Sequence, residues 1–181
     1  MSGKFQFEQW VPFPLERVFA FFSNPENLPR IMPAATGTRL IRIDRVAPPT
    51  GPTHAASAAN PSVGVGSTIV TSFRIFPLLP IHAQWTSRIT EFEWNHHFVD
   101  VQDKGPFKRW HHRHQFERQT RGSADGTLVD RPLVDGTLVR DFVDYEVGFG
   151  LLGNVLDQPF IARQMRNTFA PRQRILPTLL S

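Results

Sequence analysis

The sequence predicts an α+β fold in which a curved antiparallel sheet holds one long C-terminal helix. Seven segments alternate apolar and polar residues as strands do, and the short links between most of them favour antiparallel pairing. Two short helical segments follow the first strand, and an apolar repeat of helical spacing predicts the long helix. An antiparallel sheet must bury one face, and a helix laid across that face does so. We expect a ligand in the space between sheet and helix.

Length and composition indicate a single globular domain. The chain has 181 residues, of which 40% are hydrophobic and 20% charged, so we predict one domain over 1–181. The absence of Cys excludes disulfides, thiolate metal sites and a Cys nucleophile. No apolar run is long enough to span a bilayer, and the opening residues lack the apolar core of a secretory signal. We therefore expect a cytoplasmic protein.

The chain is basic, with a net charge of +4. Its Arg residues are scattered rather than grouped into a stripe, so we expect no nucleic-acid partner. Arg163, Arg166, Arg172 and Arg174 do cluster ahead of the apolar tail ILPTLL. That combination could touch a membrane surface, but a solvated helix face is the favoured interpretation. Nothing in the pattern sets the oligomeric state.

The N-terminal elements follow from alternation and proline placement. Lys4–Val11 alternates as a strand, and a helix should begin beside Pro14, which suits a first helical turn. A second, short helix is predicted over Pro25–Ile31, capped by the Ser23-Asn24 pair. Arg39–Val46 is the second predicted strand.

Two stretches are predicted to be flexible loops. Residues 47–66 are rich in Pro, Gly, Ala and Ser, and residues 118–135 are polar. The second loop contains the first copy of a DGTLV repeat, at Asp125–Val129, and the other copy is Asp135–Val139. Either copy could start the last strand, and we favour the second.

The remaining strands and the long helix complete the predicted order. Strands are expected near residues 69–75, 81–89, 97–102, 108–117 and 139–147, and the helix from about Asp157. Pro171 lies within this helix and should kink or interrupt it, because proline removes one backbone hydrogen bond.

Three stretches of the sequence resemble a known family. They are VPFPLERVFAFFSNPENLPRIMP, FVDVQDKGPFKRWHHRHQF and GTLVRDFVDYEV. The chain resembles START-like, helix-grip proteins of the SRPBCC superfamily, the Bet v 1 and polyketide cyclase grouping. It is most similar to a bacterial subfamily that includes CoxG-like proteins and proteins associated with a cell-division inhibitor. The resemblance spans nearly the whole chain outside the two loops and implies a helix-grip fold with a cavity. Members bind lipids, sterols, aromatic polyketides or hormones, and some catalyse cyclisation or dehydration.

The most distinctive local feature is a polar group on a predicted apolar strand face. Trp110, His112 and His114 share one face, and the two His Cβ atoms should lie about 6.5–7 Å apart. The family-like GTLVRDFVDYEV would place Asp141 and Tyr145 on the inward face of the neighbouring strand. The favoured role of His112, His114 and Asp141 is structural pairing or ligand orientation. General acid–base catalysis is the alternative.

A metal site is the least favoured interpretation of the His residues. His111 should face away from His112 and His114, and His96-His97 is expected to be a solvated pair at a strand start. We therefore predict no metal and no cofactor. The candidate ligand-lining residues, many of which could equally be ordinary core, are Phe73, Trp85, Trp110, Val143, Tyr145, Phe160, Met165 and Phe169.

The predicted function is binding of a small hydrophobic or amphipathic ligand between the sheet and the C-terminal helix. Two alternatives remain open: a cyclase- or dehydratase-type enzyme that uses His112, His114 and Asp141, and an interaction protein whose cavity is vestigial.

Overall fold

A seven-stranded antiparallel sheet and a C-terminal helix form the fold. In the computed structural model, the described residues are 2–51, 61–74, 82–122, 133–148 and 158–181, with side chains from 161 onward in the last range. The strand order is β1-β7-β6-β5-β4-β3-β2, so only β1 pairs with a strand distant in sequence. The strands are β1 (Ser2–Val11), β2 (Arg39–Asp44), β3 (Thr68–Arg74), β4 (His82–Glu93), β5 (His97–Lys104), β6 (Arg109–Gly122) and β7 (Leu133–Glu146). The helices are α1 (Leu15–Ser23), α2 (Leu28–Ile31) and α3 (Gln158–Leu180).

The N-terminal elements confirm the predictions from proline placement. Helix α1 begins directly after Pro14, and a 3₁₀ turn at Pro25–Asn27 leads into α2. The Asn24 side chain accepts a hydrogen bond from the backbone N–H of Glu26 at 3.1 Å, which makes it the cap of that turn.

The hairpin of β6 and β7 is longer than predicted. Residues 118–122 and 133–135, expected to be loop, are paired strand, with Thr120 opposite Asp135 and a 2.7 Å hydrogen bond between their side chains. The backbone ladder continues beyond the apolar core because its hydrogen bonds need no apolar side chains. A polar composition therefore did not mark a loop here.

The second DGTLV copy lies in β7, as predicted. A Cβ on Gly136 would come within 2.6 Å of the Trp10 ring, so only glycine allows this close approach. The next residue, Thr137, is buried and its hydroxyl donates to the Phe13 carbonyl at 2.8 Å. Gly136 and Thr137 of β7 thereby hold the segment between β1 and α1 in place. The first copy lies outside the described residues.

The described ends of the 47–66 loop are held against the fold rather than loose. The backbone N–H of Val63 donates to Ser23 O at 3.1 Å, and the Ser62 and Ser23 hydroxyls are 2.7 Å apart. On the other side, Trp94 Nε1 donates to Pro49 O at 2.7 Å. These ends therefore have hydrogen-bond partners within the fold, and the flexibility of residues 47–66 stays a prediction.

Helix α3 continues through both Pro171 and Pro177, so the predicted interruption is wrong. Proline lacks one backbone N–H, but tertiary packing supplies most of a helix's stability. One face of α3 is buried at a regular helical spacing, and this face lies against the sheet and α1. Its buried residues are Ile161, Phe169, Arg172, Leu176 and Leu180.

Two apolar clusters lie under α3. The main core surrounds Phe19 and joins α1 and the sheet to the end of α3. The second, which we call the aromatic cluster, lies under the first half of α3. Its buried members are Trp110, Val143, Tyr145, Val147, Ile161 and Phe169, and its partly buried members are Phe5, Phe7, Trp85, Phe107 and Met165.

Several predictions fall outside the described residues. These are the link between β3 and β4, the predicted start of α3 at Asp157, and the side chain of Phe160. Among the described residues, no helix is long and apolar enough to cross a membrane.

Candidate functional site

The strand register brings four ionisable side chains together on the inner face of the sheet. His112 of β6 lies opposite Asp100 of β5, and His114 lies opposite Asp141 of β7. His112, His114 and Asp141 are buried, as expected for side chains that point inward from the sheet. Asp100 shares this face because it is two residues from buried Phe98 on the same strand.

All four imidazole nitrogens of these two His residues face carboxylate oxygens. His112 Nε2 is 3.0 Å from Asp141 Oδ1, and His112 Nδ1 is 3.5 Å from Asp100 Oδ2. His114 Nε2 is 3.3 Å from Asp100 Oδ2, and His114 Nδ1 is 2.9 Å from Asp141 Oδ1. The last contact lacks hydrogen-bond geometry, so Nδ1 of His114 is buried without a hydrogen-bond partner. The ring centroids of the two His are 3.9 Å apart.

Arg172 closes the group from helix α3. Its NH2 atom is 3.1 Å from both oxygens of Asp141, and the residue is only 7% exposed. The guanidinium also lies 4.7 Å from the Phe22 ring centroid and 5.1 Å from that of Phe169. The expectation that Arg172 lies on a solvated helix face is therefore wrong. We call Asp100, His112, His114, Asp141 and Arg172 the polar cluster.

The surroundings of the two His residues shift their pKa values in opposite directions. Burial lowers the pKa of His112, and the neighbouring His114 lowers it further, against the opposing hydrogen bond to Asp141. Burial also opposes protonation of His114, but its contacts with Asp100 and Asp141 outweigh that effect and raise its pKa. Burial acts to raise the pKa of Asp141, yet Arg172 and both His residues hold it well below its usual value. The two His residues therefore differ: His112 stays neutral to a lower pH than an ordinary His, and His114 stays protonated to a higher one.

We predict opposite pH trends for His112 and His114. The pKa of His114 is higher in the folded state than the value of 6.5 in the unfolded state. His114 therefore contributes stability that is fully present below pH 6.5 and is lost as the pH rises through its folded-state pKa. The lowered pKa of His112 adds stability that is present above 6.5 and lost as the pH falls towards its folded pKa. The destabilisation caused by His114→Gln should therefore shrink with rising pH, and that caused by His112→Gln should grow. Urea unfolding between about pH 5.5 and 9 measures both, and parallel trends would contradict the assignment.

The polar cluster lies at the boundary between the two apolar clusters. The His114 ring stacks on Phe98 of the main core, with centroids 4.3 Å apart. The His112 ring lies 6.2 Å from Trp110 and 6.0 Å from Phe169, both in the aromatic cluster. A molecule lying on the aromatic cluster would therefore meet His112 at one end.

Seven of the eight predicted ligand-lining residues have described side chains, and these lie together. Phe73 contacts Trp85, which meets Trp110 edge-on with ring centroids 5.0 Å apart. The others lie within the aromatic cluster, namely Val143, Tyr145, Met165 and Phe169. Whether they contact a ligand stays a prediction.

Tyr145 belongs to the aromatic cluster and not to the polar cluster. It is four residues beyond Asp141 on β7, which is about 13 Å along a strand. Its ring stacks on Phe5 at 5.7 Å, and burial raises the pKa of its hydroxyl. A Cβ on Gly3 would lie 2.5 Å from the Tyr145 hydroxyl oxygen, so glycine at this position of β1 makes room for the ring.

Two residues of the polar cluster were missed by the sequence reasoning, and each had a signal. Asp100 alternates with Phe98 on a predicted strand, which places both on one face. Arg172 follows Phe169 by three residues and precedes Leu176 by four, so it continues the apolar helical stripe. Phe5, Phe7 and Phe107 of the aromatic cluster were missed as well.

Among the described residues, two groups of side chains have the composition of metal ligands. Donor atoms of Asp100, His112 and His114 all lie within 4.8 Å of one another. That group is almost entirely buried, and Arg172 adds a positive charge beside it, both of which disfavour entry of a metal ion. The second group, in the turn between β4 and β5, is Glu93, His96 and His97.

The curved sheet gripping α3, with an aromatic cluster between them, defines a helix-grip protein of the START and Bet v 1 type. The chain belongs to the family described as polyketide cyclase / dehydrase and lipid transport, whose model matches residues 11–170. The CoxG-like subfamily stays a prediction.

Solved structures show the same fold at low sequence identity. A START superfamily protein from Mycobacterium smegmatis matches with a TM-score of 0.58 and 12% identity over 99% of this chain and 96% of that one. Ara h 8.0201 matches with a TM-score of 0.57 and 12% identity over 99% and 98% of the two chains. A point mutant of Thalictrum flavum norcoclaurine synthase, in complex with a transition-state analogue, matches at 0.51 and 11% identity over 100% and 98%. No curated protein sequence matches the chain significantly.

Proposed function

We propose that the protein binds a small hydrophobic or amphipathic molecule between the sheet and the first half of α3. The observation that carries this proposal is the incomplete burial of aromatic rings on the inner face. Phe5, Phe7, Trp85 and Phe107 pack on the aromatic cluster, yet each is only partly buried. In the main core the central rings Phe19 and Phe116 are almost completely buried, and the partly buried rings Phe13, Phe22, Phe92 and Trp94 pack against that core. An apolar molecule that covered the partly buried rings of the aromatic cluster would remove their remaining surface from water.

The polar cluster would orient such a molecule. It lies at one end of the aromatic cluster, and its groups are paired internally, with Asp141 against Arg172 and both carboxylates against the two imidazole rings. An apolar molecule with one hydrogen-bonding group would place that group towards His112, whose ring borders the aromatic cluster. This function is also consistent with the family and the fold.

We propose a small molecule as partner rather than a membrane or a nucleic acid. Leu176 and Leu180 of the apolar tail are buried in the main core and unavailable to a lipid surface. Surface Arg residues such as Arg88 and Arg140 are paired with carboxylates, which weakens their attraction for phosphates. A cytoplasmic location stays a prediction.

The test combines native mass spectrometry with a fluorescent probe. A native mass that exceeds the denatured mass by a few hundred daltons would reveal a carried ligand. In parallel, 8-anilinonaphthalene-1-sulfonate, an aromatic molecule with one anionic group, should bind the protein and be lost in Trp110→Ala and Phe169→Ala. Trp10→Ala is the matched control, because Trp10 lies at β1 outside the aromatic cluster. Equal probe binding by wild type and all three variants, with no carried ligand, would overturn the proposal.

An enzyme of the cyclase or dehydratase type is the second candidate. The specific observation in its favour is a neutral His112 hydrogen-bonded to the Asp141 carboxylate, which is an acid–base pair beside the proposed ligand surface. His112→Ala should then abolish conversion of a bound substrate while probe binding persists. A co-purifying protein retained by Trp110→Ala would instead favour the interaction-protein alternative.

A further inference from the structure

The turn between β4 and β5 brings three potential metal ligands to one point on the surface. Glu93 ends β4 and pairs with His97, the first residue of β5. Asn95 adopts a left-handed backbone conformation with φ of 59°, and His96 N donates to Glu93 O at 3.2 Å. This tight turn carries the His96 side chain back beside Glu93 and His97.

The three donor atoms form a triangle of the size that a transition metal ion requires. His96 Nδ1 is 2.9 Å from Glu93 Oε2 and 3.0 Å from His97 Nδ1. His97 Nδ1 is 3.4 Å from the same Glu93 oxygen. Ligands at about 2.0–2.2 Å from a tetrahedral Zn²⁺ lie about 3.3 Å from one another. One face of a zinc coordination tetrahedron is therefore nearly in place.

Two charged side chains, Glu91 and Arg113, orient the His97 ring. Its other ring nitrogen, Nε2, lies 3.3 Å from Glu91 Oε2, and Arg113 NH1 donates to that same oxygen at 2.9 Å. A His that binds a metal through one nitrogen commonly donates the other N–H to a carboxylate, which fixes the ring. The His97 side chain is only 13% exposed, so its position is set by the fold rather than by solvent. The expectation of a solvated pair is wrong for His97.

One side of the site is open to solvent. His96 and Glu93 are half-exposed or more, which leaves an approach for the ion from solvent.

We propose that Glu93, His96 and His97 bind a zinc-like transition metal ion, with a fourth coordination position open to water or to a partner's ligand. The ion would close the turn between β4 and β5. Phe92 and Trp94 flank this site and pack on Phe19, so metal binding is linked to the stability of the main core.

The experiment is titration of the full chain with zinc chloride, followed by isothermal titration calorimetry and thermal unfolding. The wild type should bind one Zn²⁺ and gain thermal stability. His96→Ala and Glu93→Gln should weaken binding by more than tenfold, and Glu91→Gln by about tenfold. His82→Ala, at the exposed start of β4, is the matched control and should bind like the wild type.

Two results would overturn the proposal. One is a wild type that binds no zinc at millimolar concentration. The other is zinc binding that survives His96→Ala but is lost in His112→Gln, which would move the ion to the polar cluster. Because the turn is separate from the aromatic cluster, loss of zinc binding should leave binding of the aromatic probe unchanged.

Discussion

Replacing Arg172 by Ala should destabilise the protein by about 3–5 kcal/mol, because it leaves the buried Asp141 carboxylate with only the two imidazole rings as partners. Arg172 is the only cation of α3 that contacts Asp141 among the described residues, and both lie within the interior. The change also removes the guanidinium from the faces of Phe22 and Phe169. Urea unfolding at neutral pH measures the loss.

Two further variants isolate the ion pair. Arg174→Ala, two residues along the same helix but exposed, should change stability by no more than about 0.5 kcal/mol. The double variant Arg172→Ala, Asp141→Asn should lose less than the sum of the single changes, because neither charge is then left alone.

The pH dependence of the Arg172→Ala effect has a defined sign. The lowered pKa of Asp141 adds stability that is present above its unfolded value of 3.8 and lost as the pH falls through its folded pKa. The variant should therefore approach the wild type in acid. A loss below about 1 kcal/mol at neutral pH, the size expected of a surface ion pair, would show that Arg172 acts as a surface residue.

Replacing Phe19 by Ala should destabilise the protein by about 3–5 kcal/mol through a cavity in the main core. Phe19 is 0% exposed, and its ring lies 5.2 Å from Phe116 and 5.4 Å from Phe92, centroid to centroid. Both contacts are edge-to-face, so truncation also removes favourable ring pairs. Chemical unfolding gives the change in free energy.

Phe19→Leu is the graded control, because it retains most of the apolar volume and should lose much less. If the folded variants bind the aromatic probe like the wild type, the main core supports the fold while the aromatic cluster holds the ligand. A Phe19→Ala loss as small as that of Phe19→Leu would contradict the tight packing of this core.

Most elements were predictable because their signals are local. Alternation placed β6 and set the inward direction of Trp110, His112 and His114, and proline placement marked the start of α1. The errors arose where distant parts of the chain meet. Pro171 lies within α3 without ending it, and residues 118–122 extend a strand despite their polar composition. In both places tertiary pairing outweighed local preference.

For the candidate site, the pattern of residues was enough to assign His112, His114 and Asp141 to one inner face, since a strand alternates its side chains with a period of two. It did not reveal that Arg172 pairs with Asp141, or that Asp100 contacts both His residues. Those contacts join β5, β6, β7 and α3, and strand pairing together with packing of the helix on the sheet brings them within reach of one another. Charge in a buried site depends on neighbours that are remote in sequence, because burial and ion pairing act through space.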